Sequence, residues 1–198
     1  MLSSISPLGE RARHNRWSIT VAWYVAASLA VAALIGGALG ALGGAPGLPL
    51  DARASALAVL AVVAAVADAV GVAMPGPRRQ VDEDWLGRYR GWVYGAGFGA
   101  QLGAGVTTIV TTATVWLCLA AEALSGSWIR GMVIGAVFGL ARAAPVLSAA
   151  RVRSYAQLQV RHATLARVAP VAGRLTVAAS SAAAVGLGVV AVSALVAW

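Results

Sequence analysis

Five apolar runs dominate this chain: Trp17–Leu42, Ala54–Met74, Gly91–Leu124, Trp128–Ala150 and Leu175–Trp198. A helix of about 20 apolar residues crosses the hydrocarbon core of a bilayer. Four runs have that length. The third is longer than one simple crossing needs, so it tilts, extends beyond the membrane, or breaks near its glycines into a half-helix and a full span. The expected fold is all-α, a polytopic membrane helical bundle of five spans in a single integral membrane domain over residues 1–198. Residues 1–16 form a cytoplasmic N-terminal segment and Arg151–Arg174 a cytoplasmic connection. Tyr155, Leu158, Leu165 and Val168 recur there at roughly helical spacing. The connection either lies on the membrane surface or packs on the bundle as a sixth element, with Pro170 separating it from the last span. Composition agrees with lipid as the solvent. The chain is 60% hydrophobic and 11% charged, where soluble domains average about 45–50% and about 25%.

The formal net charge of +8 does not point to nucleic acid, because the charges stand between the apolar runs. Arg11, Arg13 and Arg16 precede the first run. Arg78, Arg79, Arg88 and Arg90 precede the third, and Arg151, Arg153, Arg161, Arg167 and Arg174 precede the fifth. The alternate connections hold only Arg53 and Arg130. This bias puts the N-terminus in the cytoplasm and the C-terminus outside. Trp17, Trp85, Trp92, Trp128 and Trp198 fall at or near run ends, where indole rings settle at the headgroup level. The first run exceeds the 7–15 apolar residues of a secretory signal, so an uncleaved span is expected. Every basic residue is Arg, and Ala, Gly and Val abound, the coding bias of a GC-rich bacterium; a bacterial plasma membrane is the expected location.

Cys118 is the single cysteine, and His14 and His162 lie outside the apolar runs among arginines. That rules out an intramolecular disulfide, a CxxC pair and bis-His haem ligation inside the membrane. Neither a metal-ligand cluster, a nucleophile–base pair nor a phosphate loop is legible, so no cofactor, no metal and no enzymatic activity are expected.

Glycines recur every fourth residue at Gly36/Gly40/Gly44, Gly95/Gly99/Gly103 and Gly131/Gly135/Gly139. Each triplet lines one helix face, where small residues let backbones approach. Tight packing, homodimerisation and a sliding surface in a transporter all use such faces. The stretches Gly95-Ala-Gly-Phe-Gly-Ala-Gln101 and Gly135-Ala-Val-Phe-Gly-Leu-Ala-Arg142 share G-x-x-F-G followed by a polar residue. One runs outward and the other inward in the expected topology, as in an inverted repeat of a secondary transporter. Phe138-Gly139 followed by Pro145 resembles the glycine-rich, proline-broken helices of the CcdA/DsbD transmembrane family, part of a lysine-exporter-like superfamily. That resemblance implies a fold with inverted three-helix repeats. The family's cysteine beside the proline is replaced here by Ala143 and Ala144, so no thiol relay carries over. The stretch Ser6-Pro-Leu-Gly-Glu-Arg11 is similar to actinobacterial membrane proteins without assigned activity.

Polar residues inside the runs are the sharpest functional signal. Asp68, Gln101 and Arg142 stand about 9, 15 and 12 Å from the expected cytoplasmic ends at 1.5 Å per residue, so they share a layer. Charges at such depth are costly and call for a partner or water. Asp68 and Arg142 are the expected pair, lining a wet path or fixing helix register. Pro145 frees the carbonyl of Ala141 and kinks the fourth span. Thr107, Thr111 and Thr114 fall on one face of the third span and offer hydroxyls to a solute or to their own helix. Two functions fit. The first is a small transporter or exporter for a small polar or anionic solute, with Asp68, Gln101, Arg142, Pro145, Thr107 and Thr111 along its path. The second is a non-catalytic membrane subunit or scaffold. The partners expected are the lipid bilayer and either a second copy or another membrane protein, and no nucleic acid. The orientation is checked by cysteine accessibility: a Gly76→Cys variant is expected to react with an impermeant maleimide only after cells are permeabilised, and labelling of intact cells would overturn it.

Overall fold

The computed structural model describes residues 5–77 and 84–196. The positions of Arg78, Arg79 and Trp198 in the arginine and tryptophan patterns lie outside the described residues. Among the described residues the chain is all-helical. The helices are α1 (Pro7–Ala12), α2 (Trp17–Gly44), α3 (Leu50–Val70), α4 (Trp85–Arg88), α5 (Gly91–Gly103), α6 (Thr114–Leu124), α7 (Trp128–Ala143) and α8 (Tyr155–Val196), with a 3-10 helix at Ala144–Ala149. Four are long and apolar enough to cross a membrane: α2, α3, α7 with its 3-10 extension, and α8; α6 is a shorter apolar helix. In lipid every backbone group needs an internal partner, which these helices supply.

Three boundaries differ from those expected. The third run is two helices, α5 and α6, joined by the non-helical segment 104–113, in which Gly105 has φ +77°. The second helix begins four residues early, at Leu50, and ends at Val70. Gly71 takes φ +72° and Val72 N–H donates back to the Ala67 carbonyl at 3.0 Å, a left-handed stop open to glycine. The segment 155–174 is no separate element: α8 runs through Pro170 for 42 residues. That is about 60 Å at 1.5 Å per residue, twice the hydrocarbon thickness. Pro170 has no N–H to donate to the Ala166 carbonyl, yet the helix continues through it. Pro145 likewise marks a change of helix type. It stands in the first turn of the 3-10 helix, where a missing N–H costs little.

The chain forms two compact units. The first comprises Met1–Ala32, Pro77–Ile109 and Ala136–Ala169. Its core is Ile5, Val21, Tyr24, Tyr94, Phe98, Ala143 and Val146, with Trp17, Trp85 and Leu102 packed around it. α5 lies along α2 through glycines. A Cβ at Gly95, Gly99 or Gly103 would run into the carbonyl oxygens of Thr20, Tyr24 and Ser28 in turn. Both series step by four and rise together, so the helices run parallel. Gly139 of α7 meets Ser28, whose hydroxyl donates to the Gly139 carbonyl at 2.9 Å.

The second unit comprises Ala33–Gly76, Val110–Gly135 and Pro170–Trp198. α3 packs on α6 there. Gly36 and Gly131 face each other's carbonyls, Gly40 faces Ser127 and Gly43 faces Ala123. These pairs descend along α7 and α6 as α2 rises, so α2 and α7 are antiparallel. Gly135 is buried on the same helix. Gly99→Leu is expected to lower stability in detergent by at least about 1–3 kcal/mol, because the obstacle is backbone and cannot rotate away. Gly173→Leu, where a Cβ meets nothing within 4 Å, is the control; equal melting temperatures for the two variants would contradict the packing.

Candidate functional site

The break between α5 and α6 explains where the polar residues of the apolar runs go. A helix end leaves up to four N–H or four C=O groups without intrahelical partners. In the second unit Asp68, near the end of α3, accepts from Ala113 N–H at 2.6 Å, from Thr114 N–H at 3.3 Å and from the Thr114 hydroxyl at 2.9 Å. A carboxylate thus sits on the N-terminus of α6, where its charge meets the positive end of the helix dipole. Ser180 of α8 touches the Thr114 hydroxyl at 3.3 Å. In the first unit Arg142 donates to the Gly105 carbonyl at 2.9 Å and to the Thr108 hydroxyl at 3.3 Å, its guanidinium 5.5 Å from the Phe138 ring centre. A cation therefore lies at the carbonyl end of α5, again with the favourable sign.

Asp68 and Arg142, expected to pair with each other, each have backbone and hydroxyl partners inside their own unit. The pairing assumed an unbroken third span, in which the backbone satisfies itself. Once the span breaks, its orphaned amides and carbonyls take the charges instead. The same break removes the threonine face. Thr107 and Thr111 are exposed and lie in the non-helical segment, and Thr107 donates to the Gln101 carbonyl at 2.6 Å. Gln101 itself is half-buried on α5, and Pro145 is exposed in the 3-10 helix.

Two acidic groups escaped the sequence reading. Glu10 is wholly buried at the foot of the first unit. One carboxylate oxygen takes Arg13 at 2.7 Å and the Tyr94 hydroxyl, and the other takes the Thr20 hydroxyl at 2.7 Å. Asn15 donates to the Tyr94 oxygen at 3.3 Å. Gly91 makes room, since a Cβ there would press on Thr20, Asn15 and Glu10. Burial alone would lower the Arg13 pKa, but its hydrogen bonds to Glu10 and Tyr94 outweigh that and raise it, so it stays charged. Ser6 caps α1 by accepting from Gly9 N–H at 3.1 Å, with Pro7 in the first turn. The visible signal was a Ser-Pro helix start with one acidic residue ahead of the first span. Glu122 is the second: it is 1% exposed, and its Oε2 has no hydrogen-bond partner among the described residues. It packs beside Gly36, whose missing side chain leaves the space. An acidic residue inside the Gly91–Leu124 run was its signal.

Fold and site together define a polytopic helical membrane protein whose buried polar groups hold helix ends and helix starts in place. The chain is 32% identical over 151 residues to methylamine utilization protein MauF of Paracoccus versutus, a match covering 73% of this chain and 55% of that protein. It therefore spans about half the length of the curated relative. No family model matches it, and neither does any solved structure. The similarity corrects the resemblance drawn to the CcdA/DsbD family, which rested on a Phe-Gly and a proline that many glycine-rich membrane helices share.

If Asp68 and Arg142 each serve their own helix end, they share no partner. Asp68→Asn and Arg142→Gln are each expected to cost about 0.5–2 kcal/mol, and the double variant their sum within about 0.5 kcal/mol. Thermal unfolding of all four proteins reads this; a coupling above about 1 kcal/mol would restore the direct pair.

Proposed function

We propose that this chain is a non-catalytic membrane accessory protein of methylamine utilization, seated in a bacterial plasma membrane with its N-terminus in the cytoplasm. The observation that carries this reading is the similarity to MauF over 73% of the chain. The polar groups support it. Asp68 and Arg142 bond to backbone at helix ends, and Glu10 is enclosed by Arg13, Tyr94 and Thr20. Groups so engaged serve the scaffold more than a passing solute. An accessory protein works through others, so a membrane-protein partner or a second copy is part of the proposal.

Gene deletion in the host tests it, with growth on methylamine compared with growth on ammonium. The deletion strain is expected to fail on methylamine alone, to grow normally on ammonium and to take up labelled methylamine at the wild-type rate. The full chain supplied in trans is expected to restore growth. Unimpaired growth on methylamine would overturn the assignment. Lost uptake of the labelled compound would favour transport.

A further inference from the structure

A cavity of about 660 Å³ opens in the second unit, between the start of α3, the end of α6, the first half of α7 and the C-terminal part of α8. Its size falls in the range of about 300–1,000 Å³ typical of small-molecule sites. Leu57, Ile134, Leu187 and Val190 make its walls, and Arg53 and Arg130 are its charged members. Arg53 is held in place. Its Nε donates to the Leu48 carbonyl at 2.7 Å, and its guanidinium lies against Gly126, which takes φ +58° and where any side chain would collide with it. Arg130 is exposed, and its side chain makes no hydrogen bond among the described residues. Among the described residues neither arginine forms an ion pair with a carboxylate.

We propose that this cavity binds an anionic phospholipid, with an acyl chain along Leu57, Ile134, Leu187 and Val190 and the phosphate at Arg53 and Arg130. Two features choose this occupant. The walls are aliphatic, so a free inorganic anion would leave them unused. Two unpaired cations border them, so a neutral lipid would leave the charges unanswered. An anionic amphiphile drawn from the bilayer satisfies both, since basic clusters beside apolar membrane surface recognise anionic headgroups. The site is argued from the cavity and its two arginines and not from the similarity to MauF, so its failure and that of the proposed function are separate outcomes.

The test uses the full chain purified in neutral detergent and offered phosphatidylglycerol or phosphatidylcholine. Native mass spectrometry reads which lipid stays bound, and thermal unfolding reads which one stabilises. Phosphatidylglycerol is expected to be retained in preference. Each of Arg53→Gln and Arg130→Gln is expected to cut that preference about five-fold. The double Arg→Lys variant is expected to keep it. Val190→Trp, which fills the groove, is expected to abolish retention of either lipid. If Arg53→Gln fails to fold, Arg130→Gln alone decides, since that side chain holds nothing else. Equal retention of both lipids would overturn the proposal. So would an unchanged preference in Arg130→Gln, displacement of the lipid by inorganic phosphate, or a cavity found filled by a helix of another protein.

Discussion

A transmembrane helix that breaks exposes backbone amides and carbonyls to a solvent that cannot bond them, and the polar chemistry of this protein answers that cost. Each unsatisfied group in hydrocarbon costs several kcal/mol. The charges meet the broken ends with matching sign: Arg142 lies at the carbonyl end of α5 and Asp68 at the amide end of α6. Two expensive charges and two expensive helix ends thereby offset one another. Gly105, with φ +77°, lets the chain leave α5 at that point.

α2 is the other constraint, because its neighbours touch it backbone to backbone. Within the first unit, Gly95, Gly99 and Gly103 lie over the carbonyls of Thr20, Tyr24 and Ser28. Within the second, Gly36 and Gly131 lie over each other. Apolar attraction between helices is weak in lipid, so close contact and hydrogen bonds carry the association. Ser28 shows both at once, with its carbonyl against Gly139 and its hydroxyl bonded to the Gly139 carbonyl. Within these contacts α5 runs parallel and α7 antiparallel to α2.

Glu10 extends the same logic to the chain's start. A short capped helix brings this carboxylate under the first span, where Arg13, Tyr94 and Thr20 surround it. Removing one partner of such a buried group strands the rest, which makes the cluster a clamp for α1, α2 and α5. Glu122 is the contrasting case, buried beside Gly36 with one oxygen lacking a partner among the described residues.

The sequence by itself determined that the chain is helical and membrane-spanning. Runs of about 20 apolar residues leave no other solvent and no other backbone geometry. It also marked the glycine faces, since a spacing of four returns to the same side of any helix. Only the tertiary structure decided that the third run is two helices and that α8 passes through Pro170. Apolar periodicity is the same on both sides of a break, and a proline weakens a helix without always ending it. Only it decided the partners of Asp68, Arg142 and Glu10. A charge in a sequence announces that it needs a partner, but the nearest opposite charge competes with backbone groups that become free only when a distant helix ends.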